Sequence, residues 1–97
     1  MVLLVVKGSG NEIINNVYKR HHNINERSYW VSSPSTKTTE QYHIYMADPT
    51  VNQWNISNGT KILYKAHSQN FYPPFKGWCY RKGDDYYPSN LLIQMVH

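Results

Sequence analysis

The tyrosines and tryptophans of this chain recur at short intervals. Tyr18, Tyr29-Trp30, Tyr42, Tyr45, Trp54, Tyr64, Trp78 and Tyr80 are each bracketed by polar, turn-forming residues. A spacing of roughly 9 to 14 residues is that of short antiparallel strands joined by turns. No stretch repeats its apolar residues at the helical period. The expected fold is therefore all-β: one small antiparallel sandwich or barrel of about eight short strands, occupying residues 1–97 as a single domain.

A chain of this length buries only about two-thirds of the surface its unfolded form exposes, so its core is thin. Twelve of the 14 aromatic residues are Tyr or Trp. These pair a large apolar body with a polar tip and can sit half in and half out of such a core.

Strand expectations follow the local pattern. Val2 to Val6 reads as a buried strand ended by Gly8-Ser-Gly10, Val17 to Arg20 as a second and Ser28 to Val31 as a third. Ser32 to Thr39 is the most loop-like segment, with Pro34 barring a central strand. In Gln41 to Met46 the set Tyr42, Ile44, Met46 alternates with His43 and Tyr45, so one set faces the core. Pro49 fixes a turn. Asn52 to Ser57 and Lys61 to Lys65 flank Asn58-Gly59 and form a hairpin. Ala66 to Lys76 is irregular, Gly77 to Arg81 is a strand, Lys82 to Asp85 a turn, and Leu91 to Val96 an apolar closing strand. The apolar first and last strands are expected to pair.

Charge and cysteine content narrow the partners. The net charge is +4, with the basic residues spread along the chain rather than gathered, a mild electrostatic footprint for a nucleic-acid binder. The lone Cys79 gives no intrachain disulfide and reads as a small buried hydrophobe. Met1 to Val6 is too short to span a bilayer and lacks the marks of a signal peptide. The expectation is a soluble, intracellular (cytoplasmic) chain with no membrane partner, whose sequons at Asn55 and Asn58 are accidental.

Catalytic signatures are weak. His21 and His22 are adjacent, so in a strand they point to opposite faces, and no Cys or carboxylate stands at ligand spacing beside them. Five of the six acids fall in expected turns or strand edges, and Asp84-Asp85 reads as a turn tip. Gly8-Ser-Gly10 lacks the later residues of a phosphate loop. No metal, cofactor or catalytic residue is expected.

Binding has a better case at two places. Lys76, Trp78, Tyr80, Arg81 and Lys82 combine stacking rings with cations, as single-strand nucleic-acid binders do. Trp78 and Tyr80 equally suit a core. Phe71, Tyr72 and Phe75 surround Pro73-Pro74, which suits either a recognition loop for carbohydrate or peptide or a lid over a thin core.

The strings Val6-Lys-Gly8-Ser-Gly10, Asn15-Asn-Val-Tyr18, Tyr29, Trp54-Asn-Ile56, Tyr64 and Pro74 with Gly77-Trp78 lie in this order along the chain. In this the chain resembles a small Tyr/Trp-rich β module with the pattern V-x-G-x-G, N-G-x-Y, W-x-I and P-x-x-G-W. That module recurs, often in tandem, in multidomain proteins of single-celled eukaryotes and plants. Asn16 stands where the module has Gly. The resemblance implies a non-catalytic module whose aromatic positions build the fold, and it carries over no ligand and no binding residue. The resulting expectation is a protein–protein interaction or adaptor module, self-associating as a homodimer through an edge strand. The alternatives are a binder of carbohydrate or single-stranded nucleic acid through exposed Tyr and Trp, and an enzyme of unknown reaction.

Overall fold

The computed structural model describes residues 2–33 and 40–97. Most of the loop expected from Ser32 to Thr39, including Pro34 and Lys37, lies outside the described residues. Among the described residues nine strands form one antiparallel sheet: β1 (Leu3–Lys7), β2 (Val17–Arg20), β3 (Trp30–Ser32), β4 (His43–Asp48), β5 (Gln53–Ser57), β6 (Ile62–His67), β7 (Cys79–Lys82), β8 (Asp85–Pro88) and β9 (Leu92–Val96). Their spatial order is β8-β7-β6-β5-β4-β3-β2-β1-β9. The chain is thus a meander whose last strand returns to pair with its first, as the two apolar end segments lead one to expect.

The sheet curls over its own inner face. The phenol of Tyr64 on β6 reaches across to donate to the carbonyl of Ser9, beyond the end of β1, at 2.8 Å. Among the described residues no ladder joins β8 to β9, so the curl is not closed into a full barrel.

Register places the alternating residues of each strand on the two faces. One inner row runs Trp30, Ile44, Ile56, Tyr64, Tyr80, with each residue opposite the next across the ladder. A second sets Met46, Trp54 and Ala66 side by side. Tyr42, Ile44 and Met46 are the buried set of their strand, while His43 and Tyr45 face outward. Trp30, Trp54, Trp78 and Tyr18 are fully buried. Truncating one such Trp costs on the order of 3–5 kcal/mol, against a total stability of about 5–15 kcal/mol for a domain. Most of the aromatic rhythm is therefore architecture.

Connections finish the core. Ile14 dips inward from a single turn in which Asn15 N–H bonds to the Asn11 carbonyl, and its own carbonyl accepts the buried Tyr18 hydroxyl at 2.9 Å. Burial of that phenol pushes its pKa well above the usual tyrosine range. Asn16 does not adopt a positive φ. Its side chain spans to the Ser33 carbonyl and to the Val17 N–H, bonds that a glycine could not supply.

Two turns depart from expectation. The Asn58-Gly59 hairpin exists, but as a four-residue loop in which Asn58 Oδ1 accepts from the N–H groups of Thr60 and Lys61. Lys82 to Asp85 is a two-residue hairpin that opens into a strand, β8, absent from the sequence reading. Pro88 belongs to that strand because its nitrogen is turned away from β7. The next residue, Ser89, donates its N–H to Trp78 on the β7 side at 3.1 Å. Of the two sequons, Asn55 is fully buried and Asn58 is held in the loop just described.

Where β1 ends, Gly8 has a φ of 76° and its missing Cβ would stand 2.5 Å from the backbone oxygen of Asn90. Gly10 has the same φ with open space around it. Gly10→Ala should cost about 1–2 kcal/mol, the ordinary penalty of the left-handed region. Gly8→Ala should cost clearly more, because a backbone segment must shift. Urea unfolding of the two variants checks this order.

Candidate functional site

The residues singled out from sequence fall into separate places. Phe71 and Tyr72 meet edge to face at 5.0 Å. The Arg20 guanidinium lies 5.1 Å from the Phe71 ring, and Tyr72 packs against Trp30 at 6.2 Å. A hydrogen-bond relay fixes this loop to β3: Trp30 Nε1 donates to Ser28 Oγ, which donates to the Phe71 carbonyl, at 2.8 and 2.9 Å. With Pro73 buried, this part of the loop is a lid on the core. Trp78 is also core, 1% exposed, with its indole N–H donated to the Pro74 carbonyl. It cannot stack on a ligand.

Tyr80 is half-exposed and pairs with Tyr87 of β8 at 5.6 Å. Arg81 donates to the Gly83 carbonyl and faces Asp84 at 3.8 Å, while Lys82 closes the hairpin opposite Asp85. Arg81 is thus already engaged within its own turn. Phe75 is 64% exposed, with the Lys76 ammonium 5.5 Å from its ring.

The Phe75 carbonyl accepts the N–H of Ile93 at 2.9 Å, which ties Phe75 to the outer edge of β9. Because Ile93 points its N–H away from β1, the alternation of a strand turns that of Met95 outward as well. Leu92, Met95 and Val96 are exposed along this edge, and β9 carries no Lys, Arg, Asp or Glu. At the opposite end of the sheet β8 has Asp85 and the outward nitrogen of Pro88, both of which discourage strand addition. One edge is blocked; the other is apolar, engaged by Phe75 at Ile93 and open beyond it.

A second surface feature lies on the outer face of β3, β4 and β5. Tyr29 precedes inward-facing Trp30 and so points outward, where its hydroxyl and His43 Nδ1 share a hydrogen bond of 2.7 Å. His22 stacks on the Tyr29 ring at 5.5 Å and 7°, His21 meets it edge-on, and Tyr45 lies 5.9 Å away. His21 and His22 follow β2 and lie outside any strand, so the opposite-face rule does not apply to them and both reach the same ring. Beside them a groove of about 460 Å³ is bounded by Tyr29, His43, Tyr45 and Ser57 together with the 24–25 turn. That His43 and Tyr45 share a face was readable from sequence, whereas its outward side and the convergence of Tyr29 on them depend on strand register.

Burial holds the His43 imidazole below its ordinary pKa, and His21 beside it pushes the same way. Burial raises the Tyr29 phenol, as does Tyr45. Among the described residues no group of three or more His, Cys, Asp or Glu is placed to hold a metal, and no helix is long and apolar enough to cross a membrane. No family model, curated protein or solved structure matches this chain.

A histidine whose folded pKa is lowered resists protonation in the native state. Its contribution to stability is present above the unfolded value of about 6.5 and is lost as pH falls toward the folded value. The unfolding midpoint should therefore drop between neutral and mildly acidic pH, and His43→Gln should reduce that drop. Thermal melts across the pH range measure it.

Proposed function

We propose that this domain is a non-catalytic interaction module that self-associates, two copies pairing through β9. The observation that carries the reading is the contrast between the sheet's edges. Beyond Ile93, whose N–H is taken by Phe75, the strand keeps the outward N–H of Met95, three exposed apolar side chains and no charged residue, a template for another strand. The occupant that fits is a second copy. Antiparallel pairing of β9 with itself is self-complementary about a two-fold axis, and it brings no like charges from the two strands together. The blocked β8 edge disfavours head-to-tail growth, so association stops at a closed pair. The exposed Phe75 ring beside the edge adds apolar surface. The resemblance to the Tyr/Trp-rich module supports the same non-catalytic reading.

Sedimentation equilibrium from micromolar to millimolar protein should show the mass rising from one chain toward two. Val96→Lys, which adds a charge to the exposed edge, and Met95→Pro, which removes an outward N–H, should each hold the protein monomeric. A single-chain mass at every concentration would overturn self-association, as would a dimer that both variants leave intact.

A further inference from the structure

The groove on the outer face of β3, β4 and β5 has the size and lining of a small-molecule site. Its volume of about 460 Å³ falls within the roughly 300–1,000 Å³ of small-molecule sites. Its apolar wall comes from Ile24, Ala47 and the rings of Tyr29 and Tyr45. Asn25, His43 and Ser57 supply polar groups. None of these side chains is a Lys, Arg, Asp or Glu, and the lowered pKa of His43 keeps its imidazole uncharged at neutral pH.

The walls are held in place. Asn25 and Glu26 both adopt positive φ, 52° and 60°, in a tight turn closed by reciprocal bonds between Ile24 and Arg27. Left-handed residues other than glycine persist only where their surroundings hold them. Here Asn25 Nδ2 is bonded to the Met46 carbonyl at 3.0 Å, which fixes the turn against β4 at the rim. Tyr29 is locked by His43 and by the stacked His22 ring.

Beneath the same sheet face lies an unmet donor, which does not line the groove. Asn55 is fully buried on the same face, opposite Tyr45 on the ladder and two residues before Ser57. Its Oδ1 accepts from Gln53 at 2.8 Å, while its Nδ2 has no hydrogen-bond partner among the described residues. Buried donors of this kind ordinarily find a partner.

From the rings and the uncharged polar rim, we infer that this groove binds a neutral saccharide, one or two sugar units with a C–H face against Tyr29 or Tyr45. Sugar hydroxyls both donate and accept, which matches His43, Ser57 and Asn25. A phosphate-bearing ligand finds no cation in the lining. This site is independent of the β9 edge.

The test is a ¹H–¹⁵N NMR titration with methyl glycosides of glucose, mannose, galactose and N-acetylglucosamine, together with an array of immobilised neutral and anionic glycans. The titration reads free sugars and the array reads chain-end sugars. Shifts confined to Tyr29, His43, Tyr45 and their neighbours are expected for at least one neutral sugar. Tyr45→Ala should weaken that binding about tenfold, the upper end of one ring contact. Tyr45→Phe should retain it, and should keep a native spectrum if truncation proves disruptive. No response to any neutral sugar in either format would overturn the inference. So would binding of anionic glycans alone, or shifts that Tyr45→Ala leaves unchanged.

Discussion

The pairing of the last strand with the first is the interaction on which the rest of the structure depends. Five residue pairs, from Leu3 opposite Val96 to Lys7 opposite Leu92, hold the two ends of the chain in one ladder. Without them the eight earlier strands would form an open meander with β1 at its edge, and a thin core would lie bare along that side. To reach β1 the chain must leave β8 and pass over the end of the sheet, where Leu91 is buried and Asn90 lies against Gly8. That passage makes Gly8 a steric requirement and the neighbouring Gly10 a matter of backbone preference.

The same closure decides which surfaces are left over. β9 becomes an edge by the act of covering β1, and it does so with an apolar, uncharged strand. β8, the other edge, carries the residues that natural sheets use to discourage pairing. Curling also sends the large rings inward, so that the outer face keeps the residues of opposite parity. Tyr29, His43 and Tyr45 gather there because β3 and β4 are neighbours, and the groove follows from that adjacency. The two surfaces are products of one topology and do not share residues.

Much of this was legible in the chain. The alternation of Tyr42, Ile44 and Met46 against His43 and Tyr45 separated the two faces of β4 without saying which is core, and Asn58-Gly59 located a hairpin. The strand at Asp85–Pro88 was missed: Lys82 to Asp85 was read as a turn, and no strand was placed between it and Leu91. The Pro88 ring is tolerated because the nitrogen faces outward at an edge, a property of register that composition does not carry. Trp78 and Tyr80 share a parity, yet one is core and the other half-exposed. What separates them is the loop whose Pro74 carbonyl holds the Trp78 indole, a tertiary contact with no local signature. The Phe71 to Phe75 segment likewise divides: Tyr72 covers the core while Phe75 turns to solvent beside β9.

Residue-resolved amide hydrogen exchange tests the closing ladder most directly. The N–H groups of Leu3, Val5, Gln94 and Val96 face across the β1–β9 ladder, since those of Val6 and Ile93 are directed to Asn16 and Phe75 instead. Protection of these amides comparable to that of the central β4–β5 ladder is the expected result. Free exchange at both end strands, with β4 and β5 still protected, would contradict a sheet whose last strand closes on its first.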